Sequence, residues 1–216
     1  MIQNIIRNDF NPPALDDIAI NALAIMEEFR ISEIPVVDSN QNFIGMIRAS
    51  DIINMDGLQE KIHFIKSCIK PICIADDAHI FQIIQFANDN KLTLIPIVNS
   101  NAQYVGHIYP LDILKKLSIN QNIYPNSIIV ISSNYKDYSL CKISALIEEN
   151  NGKIILLWTE GLNKKINIHL LINCQNSRAM VQALERHDYT VIQTFSNNNT
   201  EDLDNRFESF IKYLNT

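Results

Sequence analysis

Glycine, cysteine and tryptophan are scarce, with 5, 4 and 1 among 216 residues. So little glycine leaves almost no material for phosphate-cradling loops, and neither a P-loop nor a G-x-S-x-G elbow occurs. The cysteines, Cys68, Cys73, Cys141 and Cys174, are scattered. Their nearest pair is spaced C-x4-C around a proline, with no histidine at zinc-ligand spacing. Buried packing is therefore expected of them rather than metal binding. Basic charge is also short, 18 Lys and Arg against 24 Asp and Glu for a net −6, and no basic block supplies the footprint of a nucleic-acid binder. No apolar run approaches the ~18 residues of a membrane span, and the N-terminus has neither the basic stretch nor the apolar core of a secretion signal. A hydrophobic fraction of 47% against 19% charged still fills a real core. The expectation is a soluble, acidic, cytoplasmic chain, rich in isoleucine.

What the sequence does hold is an internal repeat. Ile34-Pro35-Val36-Val37, Gly45 and Asp51-Ile52-Ile53 recur as Ile95-Pro96-Ile97-Val98, Gly106 and Asp112-Ile113-Leu114, without a gap. Upstream, Asp16, Ala19, Ala22 and Leu23 map onto Asp77, Ile80, Ile83 and Ile84. Each copy reads as helix, strand, turn, strand, helix. In the first, Ile18, Ala22, Ile25, Met26 and Phe29 recur at helical spacing. Residues 34–37 form a short β-branched strand, residues 38–42 a turn cluster, and residues 43–47 the returning strand. Gly45 inside that strand marks either a bulge or a close backbone approach. The second helix is expected from about Ser50, and Pro110 suits the first turn of its counterpart.

This arrangement resembles the tandem CBS-domain family, two β-α-β-β-α units folded together, over residues 1–58 and 59–120. The resemblance implies a cleft for an adenosine ligand such as AMP, ATP or S-adenosylmethionine, formed with Pro35 and Pro96 of the first strands. The family pattern after the glycine is Ser/Thr-x-x-Asp, with the aspartate on the ribose hydroxyls and the hydroxyl near the phosphate. Asp51 and Asp112 keep the aspartates, but Arg48 and Tyr109 replace the hydroxyl residues. Arg48 can meet a phosphate through its planar fork, and Ser50 offers a nearby hydroxyl. Tyr109 either stacks on a base or fills the cleft. Polar groups are richer beside Asp51, so the first copy is the expected ligand side. An aspartate in a first helical turn also stabilises that helix by about 0.3–1 kcal/mol without any ligand.

Residues 121–126 are polar and broken by proline, as a linker is. The charge balance changes there: residues 1–120 hold 9 basic and 14 acidic side chains, net −5, and residues 121–216 hold 9 and 10, net −1. Residues 127–216 read as strand, helix, strand, strand, helix, strand, the ferredoxin-like plan. Ile166, Ile168, Leu170, Ile172 and Cys174 share one strand face. Leu140, Ile143 and Ile147, with Met180 and Leu184, belong to helices that cover the sheet. After a CBS pair this third resembles an ACT domain, and the whole order resembles bacterial acetoin-utilisation-type proteins. The resemblance implies an amino-acid effector at the first strand–helix loop, at Asn134, Tyr135, Asp137 and Ser139, although that loop lacks the family's usual glycine. Asp137 and Ser139 alternatively cap the helix. Residues 200–216 form an amphipathic C-terminal helix in this reading, packed on its own domain or across a dimer.

The expected fold is thus α/β (α+β), a CBS pair followed by a ferredoxin-like domain. The five histidines show no i, i+4 partnership and no catalytic motif is present, so the chain reads as a non-enzyme. Two functions remain in view. One is a regulatory sensor, with no output domain expected in this sequence, acting in trans on an unidentified protein or through a homodimer. The other is a ligand-free dimeric adaptor with degenerate sites. Neither a catalytic cofactor, a nucleic acid nor membrane insertion is expected.

Overall fold

The computed structural model describes residues 2–118, 126–162, 164–174 and 176–196. Residues 121–125 of the expected linker and the expected C-terminal helix lie outside them. The chain divides into two compact units, Met1–Leu117 and Ser118–Thr216, and the architecture is mixed α/β. Among the described residues no helix is long and apolar enough to cross a membrane.

In the first unit, α1 (Ala19–Phe29) leads into an antiparallel hairpin of β1 (Glu33–Val37) and β2 (Phe43–Arg48), then α2 (Ala49–Ile53). The second copy has β3 (Ile74–Ala75), α3 (Ile80–Asn90), β4 (Ile95–Val98), β5 (Tyr104–Ile108) and α4 (Pro110–Ser118). An offset of 61 residues relates the two copies in detail. Arg30 and Lys91 end the first helices at φ 54° each, and Gln41 and Ala102 turn the hairpins at φ 63° and 59°. Asp38 Oδ1 accepts from the backbone of Asn40 and Asn42, both at 2.8 Å, as Asn99 Oδ1 accepts from Asn101 and Gln103 at 2.9 and 3.0 Å. The hairpin tips also exchange reciprocal bonds, Phe43 N–H to Ala102 O at 3.0 Å and Tyr104 N–H to Gln41 O at 3.1 Å. The copies are therefore related by a pseudo-two-fold axis that passes between the tips.

The segments leading into the copies are exchanged. Residues 5–8 run along β5 of the second copy, where Arg7 and His107 trade backbone bonds of 2.8 and 3.0 Å. Residues 69–72 run along β2 of the first, where Met46 and Lys70 trade bonds of 2.7 and 2.9 Å. The glycines make this approach feasible. A Cβ on Gly45 would stand 2.6 Å from Lys70 O, and one on Gly106 2.5 Å from Arg7 O. Gly45 meets both expectations: it admits the incoming backbone, and the unpaired extra residue of the hairpin, Ile44, lies beside it on β2, since Val36 pairs with Gly45 and Val37 with Phe43. Each copy has its own core, Ala22, Met26, Ile34 and Ile47 in the first and Ile83, Ile95, Ile97 and Ile108 in the second. Leu94 crosses into the first core, and Ile2 of the leading segment completes the second.

The second unit has β6 (Ser127–Asn134), α5 (Leu140–Glu149), β7 (Ile154–Leu162), β8 (Lys165–Ile172), α6 (Arg178–Arg186) and β9 (Thr190–Ser196). The strands form one antiparallel sheet in the order β7-β8-β6-β9, the ferredoxin-like arrangement. Ile166, Ile168, Leu170 and Ile172 of β8 are buried beneath Ile143, Leu146 and Ile147 of α5 and Met180 and Leu184 of α6. Leu140 departs from its expected place in this layer: it opens α5 and is 50% exposed, while Leu146 takes the buried position. Of the cysteines, Cys141 departs from the expected burial and is exposed, while the other three are partly covered and Cys174 packs against the core of this unit.

Candidate ligand-binding site

The repeat places Asp51 and Asp112 at the same point of their helices, and their surroundings differ. In the first copy Arg48 precedes α2 with extended backbone, and its N–H donates to Asp51 Oδ2 at 3.4 Å. This is the carboxylate half of a capping box. Arg48 and Ser50 are exposed and Asp51 is half-buried. Arg48 is thus available to a ligand but is not folded against the aspartate. Pro35 is buried in β1 opposite Met46, and Pro96 is buried in β4 opposite His107.

In the second copy the carboxylate is already engaged. Arg7 Nε donates to Asp112 Oδ2 at 2.7 Å and Arg7 Nη2 to Asp112 Oδ1 at 2.5 Å. This is a bidentate, charge-assisted pair around a carboxylate whose side chain is 7% exposed. Those bonds raise the Arg7 pKa further above its ordinary value. Tyr109, equivalent to Arg48, lies 5.6 Å below the guanidinium. It therefore fills space beside Arg7, and burial pushes its hydroxyl up to about 12.

Behind this pair lies a polar cluster that local sequence reading missed. His107 is fully buried. Its Nδ1 is 2.7 Å from the Tyr104 hydroxyl and its Nε2 2.7 Å from Asp9 Oδ1. Phe10 stacks on the ring at 4.6 Å. Burial holds His107 below its ordinary pKa, against the pull of Asp9. The neutral ring accepts from Tyr104 and donates to Asp9, so both nitrogens are satisfied. A signal for this cluster did exist in the sequence: the offset aligns His107 with Met46, a polar group at an apolar position. Two clefts on this unit, one along residues 54–65 and one between α3 and α4, are lined by neither aspartate.

In the second unit a cleft of about 470 Å³ opens at the end of the sheet. Asn134 and Asp137 line it, joined by an amide–carboxylate bond of 2.9 Å. Lys142, Lys165, His187 and Asp188 complete its charged wall. Tyr135 is 69% exposed and is not part of that lining. Ser139 accepts from Lys142 N–H at 3.4 Å and so caps α5. The lysines and His187 come from separate elements, which is why the loop sequence alone did not disclose them.

Two helix–hairpin–helix copies, paired about a pseudo-two-fold axis with a carboxylate on each second helix, define the class of the first unit. The family model of the CBS domain matches residues 14–56, the body of the first copy. With its counterpart 61 residues on, the unit is a CBS domain pair. The chain is 27% identical over 103 residues to inosine-5'-monophosphate dehydrogenase of Methanocaldococcus jannaschii, covering 47% of this chain and 20% of that protein. It thus spans one fifth of that curated relative's length. Among solved structures, a CBS domain pair/ACT domain protein from Thermotoga maritima is similar at 16% identity and TM-score 0.48, over 54% of this chain and 94% of that one. A structure of CBSX2 in complex with AMP is similar at 14% identity and TM-score 0.46, over 54% and 96%.

Proposed function

We propose that this protein is a non-catalytic sensor whose CBS pair takes an adenosine ligand, AMP, ATP or S-adenosylmethionine, against Asp51. The observation that carries this reading is the half-buried Asp51 carboxylate at the start of α2, flanked by the exposed Arg48 and Ser50. A carboxylate accepts from a ribose diol, and a guanidinium offsets phosphate charge in an otherwise acidic unit. A ligand touching both copies favours one relative geometry of the pair, which is how binding becomes a signal. That signal is read in trans or through a homodimer in the cytoplasm.

The second unit is, in this reading, an ACT-type domain of the acetoin-utilisation kind. Its charged cleft suits an amino acid, with Lys142 or Lys165 for the carboxylate and Asp137 or Asp188 for the ammonium. Thermal melts with AMP, ATP, S-adenosylmethionine and the common amino acids test both sites. A ligand at ~100 times its Kd adds about 2.7 kcal/mol. Absence of any shift at millimolar concentration rejects the sensor. It would favour the second reading, a ligand-free dimeric adaptor, which the engaged state of Asp112 supports. Sedimentation that gives one dimer with or without nucleotide is the expectation of that alternative.

A further inference from the structure

We propose that Arg7 restricts the paired repeats to one nucleotide per chain, because its bidentate grip on Asp112 closes the second copy's carboxylate. The proposal rests on the nucleotide reading of Asp51 given above. The pseudo-two-fold axis supplies an internal comparison. Lys70 pairs with Met46 through the same two backbone bonds that join Arg7 to His107, and Met46 and His107 are equivalent under the offset of 61. The two leading segments therefore present a cation at matching places, and only the side chains differ.

The guanidinium of Arg7 occupies both oxygens of Asp112, at 2.7 and 2.5 Å. Lys70 is exposed, and Asp51 has no ion pair among the described residues. A carboxylate holds a diol through its own lone pairs, and those of Asp51 are half-exposed, whereas Asp112 has one site on each oxygen taken by Arg7 and a side chain only 7% exposed beneath it. A planar fork engages both oxygens at once and covers that edge of the carboxylate, whereas an ammonium acts as a point charge. Further residues from the leading segment reinforce the closure. Asp9 bonds to His107, Phe10 stacks on the same ring, and Tyr109 lies beneath the guanidinium. Asp9 also adds a negative charge that an incoming phosphate must meet.

Calorimetric titration of the full chain with AMP and with ATP tests this, alongside Arg7→Ala and Arg7→Lys, each checked for folding by circular dichroism. The expected stoichiometry is one per chain for the unaltered protein and two for Arg7→Ala. The second site should disappear again in Arg7→Ala/Asp112→Asn. Arg7→Lys keeps the charge and the strand but loses the fork, so it should also admit a second nucleotide and serves if the alanine variant does not fold. Two sites in the unaltered protein would overturn the proposal. So would one site in every folded variant, or loss of binding in Arg7→Ala, which would make Arg7 part of the ligand site. Binding by Arg7→Ala alone would overturn the stoichiometry of one per chain and reject Asp51 as the working site. No binding by any variant would reject the nucleotide reading itself, and the proposal with it.

Discussion

His107 stands where the first copy has Met46, and this one exchange changes what surrounds it. A thioether needs no partner, but a buried imidazole needs two, and Tyr104 and Asp9 supply them. Asp9 comes from a segment nearly a hundred positions away, so no local pattern announces it. The same holds for Arg7, an isolated cation whose carboxylate lies 105 residues later. The burial that keeps His107 neutral has a consequence for pH. The unfolded chain takes up a proton near pH 6.5 and the folded chain only below that. Between the two values the unfolded state binds more protons, so stability should fall as pH drops below about 6.5 and level off beneath the folded pKa. One such group sets a slope of at most about 1.4 kcal/mol per pH unit. Melting profiles from pH 5 to 7.5 should flatten in His107→Gln, and an unchanged slope would show that another group is responsible.

At the scale of elements, the repeat made most of the first unit legible. The spacing of Pro35, Gly45 and Asp51 from Pro96, Gly106 and Asp112 placed helices and hairpins to within a residue or two. Alternation along β8 likewise identified the covered face of the second sheet. Not legible was the exchange of the leading segments. A few apolar residues such as Ile5-Ile6 or Ile69 can pair with either copy, and only tertiary packing selects the far one. The glycines record that selection, since their hydrogens face the incoming backbone. Gly45→Ala and Gly106→Ala should each destabilise the first unit by about 1–3 kcal/mol, because a carbonyl oxygen 2.5–2.6 Å away cannot turn aside as a side chain can. Urea midpoints would measure the loss. A variant as stable as the parent would mean that the leading segment is not seated on that strand. The charged cleft of the second unit was half legible: Asn134 and Asp137 came from the loop, but Lys165, His187 and Asp188 reach it only through the order of the strands.

For the whole molecule, the division into two units predicts separable stability. Ile168 is fully buried in the core of the second unit, among residues of that unit alone. Ile168→Ala should therefore cost about 2–5 kcal/mol and lower amide-exchange protection along β6–β9 while leaving α1–α4 as they were. Equal loss in both units would show that they unfold as one. Within the first unit no such division holds, and this bears on how the protein is made. Arg7 needs His107 and Asp112, so the opening segment has no place to settle until the ribosome has released the second hairpin. At roughly 5–20 residues per second, that interval is on the order of 5–20 s. During it the unpaired backbone of the opening segment is open to other nascent chains. The exchanged segments thus make the birth of this domain a single late event, and a chaperone that shields its first few residues would matter more to yield than one that acts on the finished fold.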